Sequence, residues 1–198
     1  MDEALLGQVL QMLQGSLIAE YVEAATKAMK EHQGNAVFLE YLSVVFSGAT
    51  SGVPSHMCFD VRRVAGAVLK AHFSHALKVM SPEALVRVED RVLGALGEVE
   101  LASVAATVVA ALSRELCEND GERTIDVLWP SLCPTLIRIL DEAYTRGGAS
   151  AGPALGAINA VGMLSEDVLL SPSSTLVHAL FPRIVQWMAC PDTQRVRR

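Results

Sequence analysis

The feature that most constrains this chain is a helical spacing of apolar residues that runs through most of its length. Apolar side chains recur at steps of three or four, as in Leu6, Val9, Leu10 and Leu13 and, over a longer run, in 61–77. That spacing places them on one face of an α-helix, whereas a strand would alternate them every second residue. No alternating stretch bounded by turn residues occurs, so the sequence predicts an all-α protein.

Turn-forming residues interrupt the apolar pattern and predict where helices begin and end. Ser81-Pro82-Glu83 combines a capping hydroxyl, a proline suited to the first helical position and a carboxylate near the positive end of the helix dipole. Asn119-Asp120-Gly121 and Arg146-Gly147-Gly148 are typical of helix C-termini, and Ser171-Pro172 is expected to lead into the last full helix. The pattern predicts about nine helices, most of them about 12 to 22 residues long.

The helix expected from Leu101 to Leu116 is apolar on nearly all sides, so it must be covered on two faces. Stacked helix pairs provide such cover, because each pair lies between its neighbours. We therefore expect a right-handed α-α superhelix, a HEAT-repeat solenoid of the armadillo-like kind, formed by 1–198 as a single segment. A solenoid normally ends in a polar cap, and the last repeat here stops short, which predicts a fragment of a longer chain. The approximate repeats are 4–33, 35–79, 81–118, 125–170 and the truncated 174–198.

Two aromatic–proline pairs support an internal repeat. Trp129-Pro130 and Phe181-Pro182 each precede an apolar run, and proline costs little in the first turn of a helix. We expect each pair to open the first helix of a repeat, and Pro134 to lie deeper and bend its helix. Trp129 and Trp187 are expected to anchor the core between repeats.

The glycines have structural interpretations. Gly66 and Gly156 fall inside predicted second helices, where glycine costs about 1 kcal/mol relative to alanine. Close approach of a neighbouring helix would explain why that cost is tolerated. Gly147, Gly148 and Gly152 follow a helix and lack the lysine of a phosphate-binding loop, so a helix–helix linker is expected there.

The composition excludes several classes of protein. Hydrophobic residues make up 51% of the chain and charged residues 19%, which is too apolar for a disordered protein. The net charge of −6 and the lack of a basic stripe disfavour nucleic-acid binding. The acidic Met1-Asp2-Glu3 does not resemble a signal peptide, and the apolar run near 101–112 is too short to span a bilayer. We expect a soluble intracellular protein.

No motif predicts catalysis or a cofactor. His72 and His75 have a spacing that can place two metal ligands on one helix face, but no third ligand is nearby, and two ordinary helix histidines are the alternative. No serine has the Gly-x-Ser-x-Gly context of a hydrolase nucleophile. The cysteines are too far apart for a zinc knuckle or a redox pair. We therefore expect no enzyme activity, no cofactor and no metal. The cysteines are Cys58, Cys117, Cys133 and Cys190.

Three segments resemble the N-terminus of transportin-like karyopherins of the importin-β superfamily. LGQVLQMLQGS at 6–16 resembles the opening helix LxxILQLLKxS, and RRVAGAVLK at 62–70 resembles the signature RxxxGxxLKN. LWPSLCPTL at 128–136 resembles the fourth-repeat pattern NWPxLLPxL. The importin-β N-terminal-like region covers about 1–80. Three further matches follow in the family's order, namely Gly156-Ala157-Ile158, Ser165-Glu166-Asp167 and Leu180-Phe181-Pro182.

The resemblance implies a nuclear import receptor whose N-terminal HEAT repeats bind Ran in its GTP form. In such a receptor, the full-length chain binds nucleoporins and cargo that carries a nuclear localisation signal, and it shuttles between cytoplasm and nucleus. Downstream repeats, beyond this chain, hold the cargo. The alternative is another HEAT-repeat scaffold, such as a subunit of a protein phosphatase or of another assembly.

The resemblance also implies contact residues for Ran. The second helix of the second repeat faces Ran in this family, which brings Arg62, Lys70, Ala71 and His72 near the contact. Ala71 stands where the family usually has asparagine, so this chain lacks that hydrogen-bonding side chain. The acidic end of the third repeat is a candidate for binding basic groups on Ran, and a solvated loop is the alternative for those residues. They are Glu115, Glu118 and Asp120.

Overall fold

The computed structural model describes residues 2–121, 123–146, 151–167 and 175–189. These ranges contain ten α-helices and no strand, which confirms the predicted all-α fold. None of the helices described is both long and apolar enough to cross a membrane. Contacts between Cα atoms divide the chain into two compact units, Met1–Val92 and Leu93–Arg198.

The first unit is built mainly from helices that follow one another in the chain, joined by short turns except at the longer loop 47–57. Its helices are α1 (Glu3–Gly15), α2 (Val22–Glu31), α3 (Ala36–Phe46), α4 (Cys58–Ala76) and most of α5 (Pro82–Leu96). Helices α1 and α2 pack against each other, and so do α3 and α4. The side chains of Leu39, Leu42 and Phe46 on α3 and of Leu69 and Phe73 on α4 are fully buried, so the core lies along this second pair.

Helix starts in the first unit follow from capping side chains. The Asp2 carboxylate accepts a hydrogen bond from the Ala4 amide at 2.8 Å, and the Asn35 side chain accepts one from the Val37 amide at 2.9 Å. The Ser81 hydroxyl accepts one from the Ala84 amide at 3.3 Å, which confirms the predicted start of α5. Each bond satisfies an amide that has no partner within its own helix.

The second unit begins within α5. It contains α6 (Ala102–Asp120), the single turn α7 (Ile125–Leu128), α8 (Leu132–Arg146), α9 (Ala151–Asp167) and α10 (Thr175–Met188). Helix α6 ends at Gly121, whose φ of +72° and N–H bond to the Cys117 carbonyl confirm the predicted C-terminus. Side chains on nearly the whole circumference of α6 are buried, as its sequence predicted.

Helix α9 packs on α6 through glycine. A Cβ on Gly156 would lie 2.7 Å from the Cβ of Ala102 and 3.0 Å from its carbonyl oxygen, so the predicted close approach of a neighbouring helix is confirmed there. A Cβ on Gly152 would lie 2.8 Å from a methyl of Val99. Gly152 therefore belongs to this helix contact and not to the linker that the sequence predicted. Gly66 is buried within α4, and Gly147 and Gly148 lie outside the described residues.

The two aromatic–proline pairs occupy different structural positions, so the prediction that both open a helix is wrong. Trp129 closes α7 and is buried, as the core prediction required, and Pro130 lies in the turn before α8. Phe181 and Pro182 instead lie inside α10, which starts at Thr175. The apolar residues before Phe181 extend the helix backwards, and this outweighs the local cost of the proline. Trp187 is in α10, but its side chain lies outside the described part of the chain.

Pro134 and Pro182 both lie within helices, and their effects differ from those that the sequence predicted. Pro134 is the third residue of α8, where amides have no helical partner in any case, so it does not need to bend the helix. Pro182 is the residue that interrupts a helix interior, because it cannot donate to the His178 carbonyl. On the adjacent turn the Arg183 guanidinium donates to the Ala179 carbonyl at 2.8 Å. Ser171-Pro172 lies outside the described residues.

Candidate functional site

Helix α4 carries the signature segment 62–70, and its helical spacing determines which side chains of that segment are exposed. Its inner face follows the helical spacing through Arg62, Ala65, Leu69 and Phe73, all of which are buried. The outer face runs through four exposed residues in the opposite phase. They are Arg63, Ala67, Lys70 and Ala71.

Arg62 belongs to the interior of the first unit. It is 8% exposed, and its Nε donates a hydrogen bond at 2.9 Å to the carbonyl of Phe46, the last residue of α3. A carbonyl at this position has no partner within its own helix, and a cation is favourable at the negative end of the helix dipole. The guanidinium thus fastens the end of α3 to α4, which is a different role from the partner contact that the resemblance implied.

His72 is also directed inward. Its ring packs on Phe38, with centroids 5.7 Å apart, and Phe38 in turn stacks on His32 at 5.0 Å. The Nδ1 atom of His72 is buried without a hydrogen-bond partner among the described residues. Burial, and then the charges of His75 and His32, lower the pKa of His72, so the ring is held neutral and acts as an aromatic packing group.

His75, unlike His72, is exposed. It lies at the surface, where its Nδ1 is 2.9 Å from the Ser74 hydroxyl and 3.3 Å from the Gln33 amide nitrogen. The part of the chain that the structure describes contains no group of three or more His, Cys, Asp or Glu side chains placed to hold a metal ion.

Lys70 and Ala71 are the predicted contact residues that a partner can reach in the first unit. Both are exposed on α4, and Arg63 lies on the same face, in a salt bridge of 3.4 Å to Asp60. Arg62 was among the contact residues that the resemblance implied, whereas Arg63 was not. The helical phase could have separated them, because Arg62 has the spacing of Leu69 and Phe73, whereas Arg63 has that of Lys70.

The acidic end of α6 belongs to the second unit. Glu118 is exposed there, and Glu115, one turn earlier, is half-buried. The Asp120 carboxylate accepts hydrogen bonds from the backbone amide of Arg123 at 3.1 Å and from its guanidinium. The bond to the guanidinium raises the pKa of Arg123. Asp120 therefore closes the loop after α6, and Glu118 presents the freest approach for a basic group.

A polar cluster between α3 and α5 was not predicted. Arg87 holds the Glu40 carboxylate with two hydrogen bonds, of 2.6 Å and 3.3 Å, and these lower the pKa of Glu40. Arg91 lies 3.7 Å from the same carboxylate and donates to the Ser43 hydroxyl at 3.1 Å. A cavity of about 450 Å³ opens beside these residues. Glu40 and Arg87 are 47 positions apart in sequence, so no local motif could predict their ion pair.

Glu89 is a buried titratable group on α5. It is 4% exposed, and its Oε1 has no hydrogen-bond partner among the described residues. Burial, and to a lesser degree the charge of Asp90, raise the pKa of Glu89 to about 7. Raised pKa values of this kind occur at catalytic sites and in structural charge networks alike.

The accessible part of the predicted site therefore consists of Lys70 and Ala71 in the first unit and Glu118 in the second. Arg62, His72 and Asp120 make contacts within their own units. No protein-family model, no curated protein and no solved structure matches this chain.

Proposed function

We propose that this chain is the N-terminal segment of a transportin-like nuclear import receptor, a HEAT-repeat solenoid that binds Ran in its GTP form. In this proposal the chain is not an enzyme. The downstream repeats of the full-length protein bind nucleoporins and protein cargo, and the receptor shuttles through the nuclear pore.

The observation that carries the proposal is the exposed face of α4. This helix holds the signature segment, and its exposed residues combine two cations, Arg63 and Lys70, with the small side chains of Ala67 and Ala71. Alanines let a partner backbone approach closely, and the flanking cations can pair with carboxylates. Such a face suits a protein partner, because a partner surface can cover the small side chains while its carboxylates meet the flanking cations.

Three further features support the solenoid. The first four helices pack as consecutive pairs, α1 with α2 and α3 with α4. Helix α6 is buried around nearly its whole circumference, as expected for a helix that has neighbours on more than one side. The motif residue Trp129 is fully buried, consistent with an anchoring role in its repeat.

The test compares two nucleotide states of Ran. The full-length parent protein is expected to bind Ran loaded with a GTP analogue at least about tenfold more tightly than Ran-GDP, measured by biolayer interferometry. Lys70→Glu is expected to weaken the GTP-form complex by about tenfold, because it places a carboxylate on the exposed face of α4. Equal affinity for the two nucleotide states would overturn the proposal and favour the alternative of a phosphatase or other assembly scaffold.

The matched control is Lys78→Glu. Lys78 is exposed in the 3-10 turn Leu77–Val79 that follows α4, so the substitution makes the same charge change outside the proposed face. It is expected to change the affinity for the GTP form by less than about twofold. An equal loss in both variants would point to long-range electrostatics in place of a contact at Lys70.

A further inference from the structure

A groove in the first unit runs between α1 and α2 and is independent of the α4 face. The α1 groove, as we name it, has a volume of about 600 Å³ and is lined by residues of both helices and the loop that joins them. The lining residues that matter here are Gln8, Gln11, Met12, Ile18, Tyr21 and Ala24.

The apolar surface continues past the groove along α1. A smaller cavity of about 90 Å³ shares Gln8 and Met12 with it and is bounded on its far side by Val37 and Tyr41 of α3. At the other end of α1, Gly15 lets the helices touch, since a Cβ there would lie 3.3 Å from the Cβ of Ala25. The lining residues of the two cavities on α1 run from Leu5 to Gly15, a track about 15 Å long at the helical rise.

Large apolar side chains stand exposed along this track. Ile18 is 41% and Tyr21 52% exposed, and both line the groove. Leu17 and Val22, their neighbours in sequence, are exposed as well, as is Leu5 on α1. A contiguous apolar patch on a protein surface commonly marks an interaction site, whereas single exposed apolar residues need no explanation.

The charge around the groove indicates which partner it suits. The first 26 residues carry four carboxylates and no lysine, arginine or histidine, and the nearest cations in sequence, Lys27 and Lys30, lie further along α2 and do not line the groove. Glu20 and Glu23 are exposed beside the lining residues Tyr21 and Ala24, whereas the lining itself carries neutral glutamine amides. A second copy of the same surface would bring carboxylates against carboxylates, which disfavours self-association through this groove.

We propose that the α1 groove binds an amphipathic helix of a partner protein, with an apolar face bordered by lysine or arginine. A helix satisfies its own backbone hydrogen bonds, so it needs from the groove only an apolar track and suitable charge at the border. Apolar side chains spaced at three and four residues would enter beside Met12 and Ile18, while the basic residues face Glu20 and Glu23. This partner site does not depend on the Ran proposal.

The test uses two synthetic helical peptides with the same leucine face, one bordered by lysines and the other by glutamates. Fluorescence anisotropy with the 198-residue chain is expected to show at least about tenfold tighter binding of the lysine peptide. Ile18→Asp is expected to weaken that binding by about tenfold, because it places a charge in the apolar track. Joint replacement Glu20→Gln and Glu23→Gln is expected to reduce the preference for the lysine peptide.

Val86→Asp is the matched control, since Val86 is 52% exposed on α5 and lines neither part of the track. It is expected to change binding by less than about twofold, and circular dichroism should show all variants folded. Three results would overturn the proposal. They are equal or absent binding of the two peptides, binding unaffected by Ile18→Asp, and a concentration-dependent dimer in light scattering that Ile18→Asp abolishes.

Discussion

The two units of this chain stabilise their helices by different means. The first unit buries Arg62, His72 and Glu89, whereas the only buried polar side chain among the described residues of the second is Ser113. The second unit instead brings backbones together, as at Gly156 and Ala102. The comparison shows that two all-helical units of one chain can be held by different physical means. The first should be sensitive to the loss of charge or hydrogen bonds, and the second to added volume.

The largest expected effect is that of Arg62→Ala. The substitution leaves the Phe46 carbonyl without its 2.9 Å donor at the end of α3 and removes a buried side chain from between two helices. We expect the free energy of unfolding of the first unit to fall by about 3 kcal/mol, measured by urea denaturation. Arg63→Ala, which removes an exposed arginine one residue later, should cost no more than about 0.5 kcal/mol. Similar losses in both variants would show that the interior position of Arg62 has no special role.

Gly156→Ala tests the second unit in the same way. A methyl group there would lie within 3.0 Å of Ala102, so we expect a loss of about 2 kcal/mol in spite of alanine's higher helix propensity. Gly162→Ala on the same helix meets nothing within 4 Å and should stabilise the protein by about 0.5 to 1 kcal/mol. Thermal denaturation of the pair gives the answer, and a stabilising Gly156→Ala would contradict the close contact.

Glu89→Gln tests whether a buried carboxyl group makes the stability of the first unit depend on pH. Because the pKa of Glu89 is raised to about 7 in the folded protein, the folded state binds a proton more tightly than the unfolded chain. Its stabilising contribution is therefore present below pH 4.5 and is lost as the pH rises through 7. The glutamine variant should be more stable than the parent at pH 8 by about 1 to 2 kcal/mol, with little difference at pH 4.5.

The readout is the difference in urea midpoint between parent and variant across that pH range, which cancels other titrating groups such as His72. Asp90→Asn removes the neighbouring exposed carboxylate and should leave most of the pH dependence in place. A variant that follows the parent curve at every pH would show that Glu89 titrates as a surface group.

The smallest effect is expected for the Glu40–Arg87 pair. Its arginine is half-exposed, so water and salt screen the interaction in spite of the 2.6 Å hydrogen bond. A double-mutant cycle with Glu40→Ala and Arg87→Ala should give a coupling free energy of about 0.3 to 1 kcal/mol, which falls in high salt. A coupling as large as the Arg62 effect would mean that exposed pairs also hold the first unit together.

Helix ends were predictable from sequence where their cause is local. Ser81 and Gly121 act through hydrogen bonds and backbone angles within a few residues, and both ended up at the expected helix termini. Phe181-Pro182 carried an equally local signal for a helix start, but the apolar run that begins before it extended α10 backwards. A local rule fails when the burial of a longer segment outweighs it.

The accessible side chains of the candidate site were only partly predictable. Lys70 is exposed, but Arg62, which the resemblance placed near a partner contact, has the helical phase of Leu69 and is buried. The Glu40 and Arg87 pair joins residues 47 positions apart, and no periodicity in one helix reveals a contact of that kind. The repeat boundaries and the Ran contact stay predictions.

The glycine contact between α9 and α6 restricts how the length of this segment can change. Gly152 and Gly156 meet Val99 and Ala102 about one turn apart, so both must keep the same angular position around α9. A single inserted or deleted residue between them would rotate one by about 100° and put a side chain where only hydrogen fits. Homologous sequences should therefore align across 152–156 without gaps, although their outward-facing residues there can vary freely.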